Sequence, residues 1–531
     1  MIQKIIHRVG TPILLVAVWA LTGCQKKVLE LEPYTSFSDI SAFSSAARVN
    51  LAVNGVYDAA QSGFYLGGAV RGYPFGAAHI EQGDMRGEDM LNNALFYQIT
   101  YEATYNNSTA NNDFHFQTLY SLINKANLTI EGIQGAAAGG IITAAEASAY
   151  EGDCRFLRAL AHHELVTHFS RPYADGNGNQ MGIIYRNFGI NSDATIAAAA
   201  ALKRSDYTVA ENYADILADL DFAEANLPAT APVKTYRASS AAAIALKMRV
   251  KMHMGDWAGV ITEGNKLVPA AAPFVSPIGG WTLMPTPEGP WANNQSNESI
   301  FSIKNDATDN GSVNGAMAAM FGDPAISGRG LVRVSPIIWS DPRWLCSDVR
   351  RGSTMVRAYS NAVYTNKYRD IANRSDAAPH IRYAEVLLIL AEAEARQAAG
   401  VSTRGVALLN AVRNRAVLNP LDQFTVASFA NKNALVAAIL FERRIEFLAE
   451  GKRWQDLHRL ALDPVHAPIP GGGIPAKVGT GAATAAMFNC LGSAAITTPV
   501  VAKPYNDFRF LWPIPLVEIQ QNPNYDQNPG Y

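Results

Sequence analysis

Apolar positions recur at helical spacing along most of this chain. In the block Ile381–Leu460, Tyr383, Leu387 and Leu390 fall at i, i+4 and i+7, one face of a helix. Val436, Ile439, Leu440 and Phe447 mark another such face, and the block reads as three consecutive helices. Ser38-Asp39 precedes Ile40–Ala60 as a helix cap, and Phe114–Gln134 carries a further helical pattern. Thr143–Phe169 opens with Thr143 and Glu146 at capping-box spacing. Ser205–Leu227 and Ala238–Met254 follow, the latter running through Gly255-Asp256-Trp257 into a helix that ends near Val268.

Charges interrupt these faces. Glu394 lies four residues beyond Leu390 on the first stripe, Arg413 lies between Leu409 and Val417, and Arg443 lies between Ile439 and Phe447. A charge in an apolar stripe must be paired or must reach water. The three are therefore expected to form inter-helix ion pairs that hold the bundle, in preference to Glu394 or Glu446 acting as a general acid or base.

Elsewhere the period stops. Ser62–Asn112, rich in Gly, Tyr, Phe and Asn, reads as loops with short helical pieces. Ala270–Pro379 is a long insert rich in Gly, Pro, Asn and Trp, with a strand-like run at Ser299–Ile303. His466–Lys503 reads as a long loop. The proline-bearing tail, Leu511–Tyr531, is stiff and suited to lying across a finished surface. Ala238–Val268 and Tyr383–Ala416 share a helix–turn–helix design that resembles tetratricopeptide hairpins. The insert separates them, so no contiguous array is expected. The predicted class is all-α: a tetratricopeptide-like hairpin scaffold with an irregular loop-rich lobe and few short strands.

Composition narrows the function. With 531 residues, 48% hydrophobic and 17% charged, the chain is globular and large enough for more than one lobe. A net charge of −2 without a basic run gives no case for nucleic acid. Lys4, His7 and Arg8 precede the short apolar run Pro12–Leu21, which ends in Leu21-Thr22-Gly23-Cys24. The run is too short to span a bilayer and reads as a signal peptide over 1–23. Its end resembles a bacterial lipobox, with Cys24 as the lipidated first residue of the mature chain. Of the other cysteines, Cys154 lies on a helical pattern as a buried thiol, while pairing of Cys346 with Cys490 is left open.

Several ordered pieces together resemble the SusD/RagB family. They are the lipobox, Arg155–Ala159, Ser299-Ile300-Phe301, Arg382–Glu385, Ala391–Ala393 and Asn410–Ala416. Glu442–Arg444, Glu450–Trp454 with Asp456-Leu457, and the LWPIP and QNPGY tail segments complete the set. His162-His163 departs from the aromatic residues often found there. The resemblance spans nearly the whole chain and implies a helical N-terminal region over 24–270 and a C-terminal region over 271–531. It further implies a surface-exposed, lipid-anchored outer-membrane protein that binds glycans or peptides. Such proteins act as a lid on a SusC-like TonB-dependent transporter. The family offers no shared catalytic residue and implies no cofactor; a surface glycoside hydrolase is the contrasting possibility.

The residues themselves offer little catalytic chemistry. His163-Glu164-Leu165-Val166-Thr167-His168 places its second histidine at i+5, about 140° around a helix from the first, which is wrong for a zinc protease. Asp175–Asn179 begins like a calcium loop, but Gln180 and Arg186 stand where Gly and Glu are needed, leaving a turn. For a sugar site, aromatic faces stack on pyranose rings while Arg, Asp and Asn bond hydroxyls. Arg71, Tyr73, Phe75, Asp84 and Arg86, near Glu88 and Asp89, supply that chemistry in the first aperiodic stretch. Trp281, Trp291, Asn293, Asn294 and Trp339 supply it in the insert.

Overall fold

The computed structural model describes residues 39–65, 68–231, 233–492 and 494–531. The leader, Cys24 and Ser38 lie outside this range, and Arg71 is described only by its backbone within the strand Gly68–Arg71.

Helices pack in sequence order into an array. Ala46–Gln61 lies on Ala110–Ala138, which lies on Ala144–Phe169, followed by Val209–Asn226 and Ser240–Met254. Ser240–Met254 pairs with Trp257–Leu267, which then meets Tyr383–Gln397 directly. The two hairpins that the insert separates in sequence are thus neighbours in space, and the array continues across the gap. What closes the gap is an antiparallel pairing at the neck of the insert, Ser299–Ile303 with Ala378–Arg382. Thr403–Arg413 and Lys432–Glu446 pack on Tyr383–Gln397 and extend the array.

Local signals set most helix ends. Thr143 and Glu146 form the expected capping box. Gly255, at φ 73°, ends one helix in the left-handed region that glycine enters without a Cβ penalty. Other boundaries differ from the sequence reading. The first helix breaks into Asp39–Ala42 and Ala46–Gln61, the second capped by Ser45. The expected third helix of the 381–460 block is two, Lys432–Glu446 and Lys452–Arg459, so the block holds four. Ala449 and Gly451 between them have φ of 63° and 72°. A Cβ on Gly451 would stand 3.0 Å from the Ile80 carbonyl, because the helix Ala77–Met85 crosses there.

That crossing helix is one of the short helical pieces expected within Ser62–Asn112, though its position could not be read. Ala77–Met85 is buried on every side, so it has no polar face and therefore no stripe to read. The charges after it are buried too. Glu88 and Asp89 are buried and meet Arg444 and Arg453, Arg453 reaching Glu88 at 2.6 Å.

Ion pairs do cross the helices, though with unequal burial. Arg443, 1% exposed, grips Asp456 through Nε and Nη2 at 3.0 and 3.1 Å. Arg413 lies 3.8 Å from Glu442 and stacks 4.1 Å from the Phe424 ring centre. Glu394, by contrast, is half-buried and pairs with Arg404 at 2.8 Å toward the edge of the array. Arg443→Ala should cost about 3 kcal/mol in urea unfolding, the low end for a broken buried pair, since Arg459 still holds Asp456. A loss under about 1 kcal/mol would show the pair to be screened by water.

The tail straps the finished scaffold. Trp512 is fully buried, and its backbone N–H donates to the His168 carbonyl at 3.0 Å. Asn528 donates to the Phe169 and Trp512 carbonyls at 2.9 and 2.7 Å, fastening the strap to the end of Ala144–Phe169.

Candidate functional site

The aperiodic segments assemble into one lobe. Met90–Asn92 pairs antiparallel with Val332–Val334, which joins the first aperiodic stretch to the insert. The hairpin Val356–Tyr359/Ala362–Thr365 packs beside them, and Arg333 Nε donates to the Tyr364 hydroxyl at 3.1 Å.

A groove of 320 Å³ opens between this hairpin and the segment around Phe488. Trp339 forms one wall, placed by the short helix Pro336–Trp339, which Ser335 caps and Pro336 starts. Its Nε1 donates to the Phe488 carbonyl at 2.7 Å, and the two rings stand 6.1 Å apart. The Cys346–Cys490 disulfide ties the walls together, since Cys346 follows the Trp339–Trp344 loop and Cys490 follows Phe488. Val356 and Val363 add apolar surface, while Ser353, Ser360 and Asn361 add hydroxyl and amide groups. Among the described residues, no Asp or Glu lines the groove.

Arg351 also faces it. Nε donates to the Leu345 carbonyl at 3.0 Å, and Nη2 donates to the Trp339 and Trp344 carbonyls at 2.6 and 2.7 Å. The guanidinium stacks 4.5 and 4.4 Å from the centres of those two indoles. Burial pushes its pKa down to about 10, partly offset by Asp348 and Asp341, so it stays charged at neutral pH.

Of the residues singled out from the sequence, Trp339 lines this groove, although it is itself buried at 7% exposure. Tyr73, Phe75, Asp84 and Arg86 are in the core and line no part of it. Tyr73 accepts from Gln82 Nε2 at 3.0 Å, and Phe75 sits edge-on to His79 and His380. Asp84 accepts the Gly451 N–H at 3.1 Å, while Arg86 stacks 3.2 Å from the Trp454 ring centre. Trp281 is buried, and Trp291 packs under Lys367 and Arg382, at 4.9 and 5.1 Å. Asn294 ties the insert together by donating to the Ser375 carbonyl at 3.2 Å, and Asn293 is exposed. Aromatics in a Gly/Pro-rich segment thus mostly pack their own lobe.

Phe488, Ser353, Ser360, Asn361 and Arg351 escaped the sequence reading because they sit far apart in the chain. The one available signal was the cysteine pair, which brings Phe488 to Trp339. The same lobe also carries the exposed aromatic Phe96, 38% exposed, with Arg329 4.9 Å above its ring.

Comparison with known proteins gives consistent matches. Residues 27–252 match a family model described as "Starch-binding associating with outer membrane", and residues 338–531 match the SusD family model. Two SusD-like proteins of Formosa agariphila are 24% and 25% identical over 85% and 84% of this chain and 90% of each relative. A SusD superfamily protein from Bacteroides fragilis aligns with a TM-score of 0.73 and 25% identity, covering 91% of this chain and all of that one. A surface glycan-binding protein A from Bacteroides uniformis shares the fold at TM-score 0.66 and 19% identity, covering 91% of this chain and 99% of its own. No described helix is long and apolar enough to cross a membrane.

Proposed function

Because this chain belongs to the SusD family, we propose that it is a nutrient-binding protein of the outer membrane that captures a glycan without cleaving it. Lipid on Cys24 anchors it at the cell surface, and a SusC-like TonB-dependent transporter receives the ligand. The helical array docks on the transporter, and the loop lobe holds the sugar above the entrance, opening as a rigid body.

The observation that carries this reading is the Trp339–Phe488 groove. Its aromatic walls suit the apolar faces of a pyranose ring, and its Ser and Asn rim suits hydroxyls. Glycoside hydrolysis would need a carboxylate pair, and the described lining residues instead supply hydroxyl, amide, aromatic and guanidinium groups. Titration with a panel of oligosaccharides is expected to give saturable binding with no cleavage products. Phe488→Ala keeps the backbone carbonyl that Trp339 bonds and should weaken binding about tenfold by removing one stacking face. Product release from any panel member would overturn the non-enzymatic reading, and unchanged affinity in Phe488→Ala would move the site elsewhere.

A further inference from the structure

Four arginines of the loop lobe, Arg374 among them, form no ion pair with a described carboxylate, and three of the four lie over aromatic rings. Arg329 lies over Phe96, Arg333 lies 5.8 Å from the Tyr364 ring centre, and Arg351 lies over Trp339 and Trp344. None has a described carboxylate oxygen within 4.0 Å. The acids nearby in the chain are already committed: Asp341 to Arg343 at 2.6 Å, Asp348 to Arg350 at 2.7 Å, and Asp323 to Arg357. At the neck of the insert and in the helical array, by contrast, Arg382, Arg415, Arg443 and Arg459 all meet carboxylates.

A guanidinium taken partly out of water without a directly bonded counter-charge is costly, and for Arg351 the carbonyl acceptors and the more distant Asp348 and Asp341 offset only part of that cost. Two buried arginines elsewhere, Arg86 and Arg204, are also held by carbonyls and rings without a carboxylate, but they are sealed in the core. Arg351 lines an open groove, and its Nη1 is buried without a hydrogen-bond partner. Arg333 is coupled to the same groove, because its Nη1 reaches Asn361 Oδ1 at 3.5 Å and Asn361 is part of the lining. Unspent positive charge thus stands beside aromatic walls and a hydroxyl-bearing rim.

We infer that this groove selects an anionic sugar, one bearing a carboxylate or a sulfate ester, with Arg351 and Arg333 as its charge partners. The inference rests on the glycan-binding reading above and adds the class of glycan. The guanidinium fork matches the paired oxygens of both anions, and charge-assisted bonds are about twice as strong as neutral ones. The sugar ring takes the Trp339–Phe488 walls while its anion lies against the Arg351 guanidinium.

The test is calorimetric titration of the full mature chain with four size-matched oligosaccharides. One is an oligogalacturonate, one a sulfated galactan fragment, and two are neutral, a malto- and a xylo-oligosaccharide. At least one anionic ligand should bind about tenfold tighter than either neutral one, with the preference shrinking as salt rises. Preference for the uronate alone identifies the anion as carboxylate, preference for the galactan alone identifies sulfate, and preference for both shows charge recognition shared by the two.

Arg351→Gln should lower the ratio of anionic to neutral affinity. Because Arg351 also holds three carbonyls of the 339–345 loop, Arg333→Gln serves as the second variant, with thermal melts confirming that both fold. Neutral ligands binding as tightly as anionic ones would overturn the inference while leaving glycan capture standing. An anionic preference that survives both arginine variants and Phe488→Ala would overturn it too, placing the charge reader elsewhere. If no oligosaccharide of either kind binds, the glycan-binding reading itself fails.

Discussion

Arg382→Met is expected to cost about 4–5 kcal/mol, the upper range for removing one partner from a buried ion pair. Arg382 is 2% exposed at the end of the strand Ala378–Arg382 and serves three carboxylates at once. Its Nη2 lies 2.8 Å from Glu450, its Nη1 lies 3.1 Å from Glu446, and Nη1 also meets Glu298. Arg415 reaches Glu446 at 2.6 Å and also bonds Glu298, Lys367 meets Glu450 at 2.6 Å, and Arg350 meets Glu446 at 3.1 Å. Burial by itself would raise the Glu446 pKa, but Arg415, Arg382, Arg350 and Lys367 overcome it and hold the group at about 2. Methionine would leave three buried carboxylates sharing the remaining cations. The strand carrying Arg382 closes the insert's neck, so the loss should loosen the whole loop lobe from the array. Urea unfolding at pH 7 measures the cost, and repeating it at pH 5 should give a smaller cost, because an underpaired carboxylate takes up a proton. A loss below about 1 kcal/mol would mean that the cluster is hydrated and its charges screened.

Acid should unfold this protein in two stages. Eight described histidines are buried: His79, His115, His162, His163, His168, His253, His380 and His458. Burial, with nearby cations, holds His79 and His163 at about 3, and burial holds His458 at about 3 against the pull of the Ser170 carbonyl. A folded-state pKa below the unfolded value of about 6.5 means that the unfolded chain binds more protons below pH 6.5. That contribution is complete above pH 6.5 and is lost as pH falls, at roughly 2 kcal/mol per such histidine by pH 5.

Buried carboxyl groups of the opposite sign offset this in the same range. Burial raises Glu81 to about 8 and Asp113 to about 7, and raises Asp84 as well, so lowering the pH toward their ordinary values stabilises the fold. Below about pH 4.5 the offset ends, and carboxylates held low by arginines join the histidines. Among them are Glu385 and Glu446, each at about 2 despite burial. Urea midpoints should therefore fall gently from pH 7 to 5 and steeply below 4.5. His163→Leu tests the assignment, since both ring nitrogens of His163 lack hydrogen-bond partners and only its protonation is at issue. The variant should lose less stability than the parent between pH 7 and 4.5, and parallel curves would remove His163 from the account.

Much of the scaffold was legible because its signals are local. Capping at Thr143, the turn at Gly255 and the apolar stripe through Leu387 depend on neighbours within a few residues. The helix Ala77–Met85 was hidden for the converse reason, since full burial erases the contrast between faces on which such readings depend. The same physics misplaced Tyr73 and Arg86, whose residue types suit a sugar site and suit a core equally well.

By itself the sequence determined the helical class, most helix positions, the family resemblance and the presence of charges inside apolar stripes. Only the tertiary structure decided that the two hairpins flanking the insert touch, because that contact depends on the Ser299–Ile303/Ala378–Arg382 pairing. It likewise decided which carboxylate each buried arginine meets, and that Trp339, rather than Trp281 or Trp291, lines the groove. These are contacts between residues tens to hundreds of positions apart. Their energies come from mutual burial, and no local pattern in the chain encodes which distant partner will arrive.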